Sequence, residues 1–476
     1  MKTVDVLFIY TNINGYHLDT YSFGIGYLSS VLKKHGFTTR LEVVRNKKGY
    51  KDALKAVLES RPLIIGFTSV SSQFVFVSDL AKMVRRIYKG IVLCGGVHPT
   101  IFPNALVSVP QFDGFFIGES EFSFLDFASK VKKNEDVKDV DNFCYVANGK
   151  ILKNKLRHQV KNLEELPFSD RDIYDYQSII DANEGVATIM TGRGCPFCCT
   201  YCSNHAIARI YGKANNAIRH NSVDNSLREV DMLRTKYKFS RLWFIDDLFV
   251  LNKAWLDEFL YKYKQRLNIP FMCHIRPNVC TRDMMFKLKE AGCFRIFLAV
   301  ESANDYIRNT VMKRNISKEE MENTFKWAKE AGIETLSVNI IGVPGETKET
   351  VMETINFNKK MNPSLVGVNI YSPYEGTELG DYCRKNGLIR KINLHSFLDR
   401  RESRLKLNTI GRSELAGLYD KFQYLVYKDV DQKKATFFLA EFRKRRYRRL
   451  ENKPCFNFLF KIARGLKNIR PIREKA

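Results

Sequence analysis

What this sequence lacks narrows its chemistry first. No apolar run in its 476 residues reaches the ~18 that a membrane-crossing helix needs. The opening stretch, Met1 to Tyr10, has one early Lys and an acidic residue inside a short apolar run, so it reads as a strand and not as a secretory leader. There is no low-complexity tract and no repeat shorter than a strand–helix unit. Acidic residues are scarce: 52 Asp and Glu face 77 Lys and Arg, a net charge of +25. From residue 433 onward, fifteen Lys and Arg stand against three Glu, so about half of the excess lies in one tail. A basic tail of this kind points to an anionic partner. Eleven cysteines in a chain of this size do not read as a disulfide framework; a reducing compartment leaves thiols for metals or for packing. A cytoplasmic location is the expectation.

What is present is an ordinary globular composition, 45% apolar, long enough for two or three domains. Residues 4–10, 38–44, 63–70, 91–94 and 115–117 read as strands, with helical spacing at 23–35, 53–60 and 77–88 between them. Such alternation predicts an α/β, doubly wound, Rossmann-like domain over 1–140. A linker subdomain over 141–184 contains a hairpin signal at Asn148-Gly149. A second alternating series fills 185–392, with strands at 187–190, 242–245, 271–274, 296–300, 336–341 and 365–371. Six such units predict an incomplete (β/α)6 TIM-like barrel, with functional groups at the strand exits. Residues 393–476 read as a helical, basic C-terminal region.

Four cysteines fall within eight residues: Gly194-Cys195-Pro196-Phe197-Cys198-Cys199-Thr200-Tyr201-Cys202. Thiolates suit iron–sulfur clusters, and C-x3-C-x2-C spacing through Cys195, Cys199 and Cys202 leaves one iron of a cubane without a protein ligand. Cys198 keeps two other readings open: a fourth ligand, or zinc held by overlapping C-x2-C pairs.

With its aromatic Tyr201 before the last cysteine, the loop resembles that of radical S-adenosylmethionine (SAM) enzymes, and the resemblance runs from residue 187 to about 375. It implies a 4Fe–4S cluster on Cys195, Cys199 and Cys202, with SAM chelating the open iron and Tyr201 near adenine. Asp246 or Asp247 stands where many members carry an acidic SAM contact; a helix N-cap is the plainer reading of that pair. Glu301 and Gly342, at later strand exits, are further candidate SAM contacts. Arg276 and the 371–377 segment also match the family pattern.

Small residues at the strand exits of the first domain resemble the cobalamin-binding domain that precedes many radical SAM domains. The matching pieces include Gly66-Phe67-Thr68-Ser69, Gly95-Gly96-Val97-His98 and Ile117-Gly118-Glu119. The resemblance implies cobalamin contacts at Ser69, Gly95, Gly96, Gly118 and Glu119. The Asp-x-His-x-x-Gly motif of mutase-type domains is absent, and the loop in its place offers only His17. The implied activity is B12-dependent: a 5′-deoxyadenosyl radical removes hydrogen from an unactivated carbon, and a methyl group follows from cobalamin. Oxidation or cyclisation, as in the anaerobic protoporphyrin-ester cyclase type, is the second enzyme reading. Methylthiotransfer lacks its second N-terminal cysteine trio. A cobalamin or SAM sensor is the non-catalytic reading.

The partners expected are a small-molecule or lipid-like substrate and an electron donor such as flavodoxin or ferredoxin. No nucleic acid is expected, for want of a recognised RNA module. The tail, with the basic run 443–449 and aromatics at 456–460, suits peripheral contact with the inner face of a membrane; a solvated charge run is the plain alternative.

Overall fold

Two β-sheets organise the computed structural model, which describes residues 3–13, 20–212 and 218–451, with side chains as far as 443. The loop bearing His17 and the tail beyond 451 lie outside the described residues.

In the first sheet, β1 (Val6–Thr11), β2 (Thr39–Val44), β3 (Ile64–Thr68), β4 (Ile91–Gly95) and β5 (Gly114–Phe116) run parallel in the order 2-1-3-4-5. Helices cover both faces. Leu7, Ile9, Ile65 and Val92 pack toward helices Tyr50–Ser60 and Phe74–Ile87. Val6, Phe8, Ile64 and Leu93 pack toward helices Phe23–Lys34 and Glu121–Lys133. Two-sided burial is why these strands read as apolar runs without alternation. The strand order reverses between β1 and β3, and ligands of such sheets bind at that switch point, beyond the strand exits.

The hairpin expected in the linker belongs to this sheet. β6 (Phe143–Ala147) and β7 (Lys150–Lys153) turn through Asn148 and Gly149, both at positive φ, and β6 pairs antiparallel with β5. The reason is physical: three-residue β5 would otherwise present a bare edge.

The second sheet is wholly parallel: β8 (Val186–Ile189), β11 (Arg241–Phe244), β12 (Phe271–Ile275), β13 (Cys293–Glu301), β14 (Glu334–Ile341) and β15 (Leu365–Ile370), in chain order. Each of the first five is followed by a helix that packs outside, which is the incomplete TIM-like barrel. The five helices after β11's predecessor loop and beyond begin at Ser222, Asn252, Thr281, Ser317 and Thr347, whose side chains accept backbone N–H groups and fix where each helix starts. A two-residue ladder, β9 (Gly192–Arg193) with β10 (Arg219–His220), has no periodicity to betray it and was not expected.

Helical structure after 393 begins later than the sequence pattern indicates. Residues 393–411 are irregular, and helix Arg412–Tyr427 packs Leu415, Phe422 and Val426 against Ile341, Ile355 and Ile370. That helix is therefore part of the barrel's outer layer. The following helix, Gln432–Glu451, stacks against it through Phe438 and Tyr427. No described helix is long and apolar enough to cross a membrane.

Candidate active site

The cysteine loop spans the gap between β9 and helix Ser203–Tyr211, with Cys202 as the residue that caps the helix. Its course is fixed from outside. Thr200 donates its backbone N–H to Met312 and its hydroxyl to Val311, at 3.1 and 2.8 Å, and its carbonyl accepts from Leu379. Burial raises the Cys195 thiol to about 11 and the Cys202 thiol to about 12; Cys199 and Asp247 push both further upward. The three thiols thus share one neighbourhood, with Cys199 buried and Cys195 and Cys202 half-buried, while Cys198 is exposed.

Two arginines border this neighbourhood. Arg276, at the β12 exit, donates Nη1 to Cys199 Sγ at 3.4 Å and lies 3.7 Å above the Phe197 ring. Arg314 donates to Tyr201 Oη at 2.6 Å and stands 3.6 Å from Glu301. Tyr201 donates in turn to Glu301 Oε1 at 3.2 Å. Burial raises the Glu301 carboxyl, against the pull of Arg314. Glu301 adopts φ +61 at a β-bulge ending β13, a left-handed turn rare for a residue with a side chain, which redirects its carboxylate. Arg314 carried no sequence signal; its role exists only through the fold.

The Asp pair at the β11 exit divides. Asp246 is buried and accepts from Thr191 N and Oγ1 at 3.2 and 2.8 Å. Asp247 lines a cleft together with Cys195. Gly342, at φ +81, gives its N–H to the Glu346 carboxylate, and a Cβ there would come within 2.7 Å of Leu415. Its glycine is favoured by the left-handed backbone and by the Leu415 side chain of helix Arg412–Tyr427, and it does not line the cleft.

That cleft, ≈470 Å³, lies between the two sheets and has the size of a ligand pocket. From the first sheet Gly66, Gly95, Gly96, Gly118 and Glu119 line it; Ser69 does not. At Gly95 the nearest obstacle to a Cβ is 3.8 Å away, so a side chain would grow into the cleft. Gly24, which also lines the cleft, has nothing within 4 Å. Gly96 and Gly118 have other reasons to be glycine. A Cβ on Gly96 would meet Ser69 O at 2.8 Å, and one on Gly118 would meet Tyr211 Oη at 2.0 Å. Ser69 donates to Val70 O at 3.0 Å. Glu119 is held by Arg219, and Arg193 bridges Glu119 and Glu121 at 3.6 and 2.8 Å.

Comparison with known families decides what the two halves are. Residues 11–128 match the B12 binding domain, and residues 189–357 match the radical SAM superfamily. The chain thus joins a B12 binding domain to a radical SAM domain. An uncharacterised methyltransferase of Pyrococcus horikoshii is 28% identical over 377 residues, covering 79% of this enzyme and 81% of its own length. Cytidylyl-2-hydroxyethylphosphonate methyltransferase of Streptomyces wedmorensis is 23% identical over 428 residues, covering 78% and 79%. The solved structure of the radical SAM methyltransferase TsrM from Kitasatospora setae, with tryptophan substrate and a SAM analogue bound, shares the fold at TM-score 0.64 and 17% identity, over 82% of this enzyme and 77% of that chain.

The family implies a 4Fe–4S cluster, SAM and cobalamin, and the enzyme's own residues fit them. Three thiols of one loop, two of them raised by burial and by the charge of a neighbouring thiol, have the chemistry a cluster needs, although no three such side chains among the described residues are already gathered at metal-ligating distance. Glu301 Oε2 and Arg314 Nε are buried without a hydrogen-bond partner, the kind of open valence a polar ligand completes. Gly24 and Gly95 leave a cradle that side chains would fill.

Proposed function

We propose that this enzyme methylates an unactivated carbon of a small-molecule or lipid-like substrate, using cobalamin. The observation that carries the reading is one shared cleft: Cys195 and Asp247 of the barrel and Gly95 and Gly96 of the first sheet line the same ≈470 Å³ space. Names of relatives support it, since both sequence relatives above are called methyltransferases.

Cys195, Cys199 and Cys202 are assigned as cluster ligands, with exposed Cys198 left out. Tyr201, Glu301 and Asp247 are assigned to SAM, with Arg276 and Arg314 as the nearby cations that complement its carboxylate. Asp246 acts from behind, by holding Thr191 at the start of the cluster loop. Gly342 would approach SAM by backbone only. Gly95, Gly96, Gly118 and Glu119 are assigned to the cobalamin side of the cleft, and Ser69, buried behind it, is left out. When bound, the cluster and SAM supply a carbon radical and cobalamin supplies the methyl group; the protein orients them and excludes water. The apolar lining from Phe8, Ile25, Leu28 and Phe124 keeps that space dry.

The electron donor proposed is a small flavodoxin- or ferredoxin-type protein, and the setting cytoplasmic. Peripheral membrane contact through residues 433–476 is proposed on charge alone; liposome binding that survives deletion of the tail sinks it. The main test is anaerobic reconstitution with iron, sulfide and hydroxocobalamin. About four irons and one cobalt per chain, with 5′-deoxyadenosine formed from SAM, support the reading. Four irons without cobalt reject the B12 mechanism. A labelled SAM methyl group that never reaches product replaces methyl transfer with oxidation or cyclisation.

A further inference from the structure

Helix Val97–Ile101 separates two cavities. Val97 and Thr100 line the cofactor cleft, whereas His98 and the following Phe102 line a second pocket of ≈300 Å³. One wall of that pocket comes from the exits of β3 and β4, through Ser71, Ser72 and His98. The opposite wall comes from the β15 exit, through Tyr374 and Glu375. The irregular stretch after the barrel closes it with Phe397, Asp399 and Arg404. That stretch is pinned to the first domain by His395, 3.5 Å from Asp79 and with its ring centred 5.5 Å from that of Phe76. Strand exits of doubly wound sheets and of barrels are where both folds bind ligands. The pocket therefore lies at the same end of the molecule as the cofactor cleft, one short helix away.

Its charges are matched except for one. Asp399 accepts from Ser372 Oγ at 2.5 Å and from Tyr374 Oη at 2.6 Å, with Arg400 Nε at 3.7 Å. Glu375 pairs with Arg384 at 2.8 Å. His98 is 4% exposed and neutral: burial lowers its imidazole to about 4, and Nδ1 is 3.0 Å from Ser71 Oγ. Arg404 is the remainder. Its Nε is buried without a hydrogen-bond partner, and no carboxylate among the described residues pairs with it. A partly buried cation with an open valence is stabilised by an incoming counter-charge. Around it, Phe74, Phe102, Leu394 and Phe397 are apolar.

The geometry points to this pocket as the site for an anionic group, carboxylate or phosphate, carried on an apolar methyl acceptor. Arg404 supplies the charge and Ser72 a hydroxyl; the neutral His98–Ser71 pair adds polarity without a second charge. The aromatic rings take the apolar stretch beside the anion, and the carbon to be methylated would lie beyond helix Val97–Ile101, on the cleft side. The inference rests on the methyl-transfer reading and names the substrate class that reading leaves open.

The test is calorimetric titration of the reconstituted, cobalamin-loaded full chain with octyl phosphate, against octyltrimethylammonium as a probe of equal chain length. Octyl phosphate is expected to bind, and Arg404→Gln to weaken it roughly tenfold or more, the worth of a charge-assisted hydrogen bond. Arg404→Lys should restore most of the affinity. Because the basic tail attracts anions in general, the difference between the unmodified chain and Arg404→Gln is the decisive reading. If Arg404→Gln does not fold, Ser72→Asp replaces it and should weaken binding similarly. Unchanged affinity in these variants overturns the inference. So does octyl phosphate that binds only cobalamin-free protein and is displaced by cobalamin, for the anion would then be the cofactor's own phosphate. Iron and cobalt are measured in the same samples. A chain without cobalt would defeat the methyl-transfer reading while leaving the probe result to stand by itself.

Discussion

Arg193 Nη1 lies 2.8 Å from Glu121 Oε1, an ion pair that joins the strand before the cysteine loop to the first helix after β5. Both side chains are largely buried, at 13% and 7% exposure, and the Arg193 guanidinium sits 4.6 Å above the Tyr27 ring. The pair ties the barrel side of the cleft to the first-sheet side, and both residues line the cleft itself. Removing one partner leaves a buried charge without its complement, a loss on the order of 3 kcal/mol. Glu121→Gln is expected to lower the denaturation midpoint and to speed amide exchange over residues 192–195. Exchange as slow as in the unmodified chain would show that Glu119 alone holds Arg193.

The thiol neighbourhood makes a sharp distinction among adjacent cysteines. Cys199→Ser should lose the cluster, while Cys198→Ser should keep about four irons per chain and form 5′-deoxyadenosine at a rate within a few-fold of the unmodified enzyme. Iron analysis with absorbance near the sulfur-to-iron charge-transfer band checks both. Loss of iron in Cys198→Ser would return it to the ligand set.

Gly118 and Tyr211 meet where the two sheets approach. At φ +74, with Tyr211 Oη 2.0 Å from where a Cβ would stand, Gly118→Ala is strained by backbone and by contact together. A cost of about 1–3 kcal/mol is expected. Tyr211→Phe by itself should cost about 1 kcal/mol, because Glu119 N loses its 2.7 Å acceptor. In the double variant the contact with the hydroxyl is gone, so the two costs should sum to less than their separate values. Full additivity in thermal midpoints would place the Gly118 penalty entirely in its backbone.

Asp246 gives the enzyme a pH dependence. Burial raises its carboxyl from 3.8 to about 7, while the Thr191 amide and hydroxyl pull it back. The folded chain therefore holds a proton that the unfolded chain releases between these values. Stability from this group falls as pH rises through that window, by at most ~1.4 kcal/mol per pH unit. Thr191→Val should raise the carboxyl further and carry the fall to higher pH. Asp246→Asn should flatten it. Thermal midpoints across the window check both, and an unchanged slope in Asp246→Asn would assign the dependence to other groups.

Much of this architecture is legible in the sequence for reasons that particular residues show. Strand β11 reads correctly because Leu242 and Phe244 alternate with Arg241 and Trp243, and its helix begins where Asn252 stands ready to cap it. The cysteine loop is legible as a motif because its candidate ligands are adjacent in the chain. Arg314 and Arg219 do not read at all, since their partners Glu301 and Glu119 are brought to them only by folding. Gly118 reads as a glycine for a cofactor, yet its nearest constraint is a tyrosine from the other domain. The left-handed turn at Glu301 is likewise invisible, because non-glycine residues in that conformation carry no local signature.

The second sheet runs from β8 to β15 without the two end strands pairing. A closed ring admits ligands only along its bore, so its diameter limits what can react. A wall open along one side has no such gauge. Selection by bulk then passes from the barrel to whatever stands over its mouth, which here is the first sheet and the 393–411 strap. The girth of what can reach the open wall is therefore set by those two parts and not by the strands that form it.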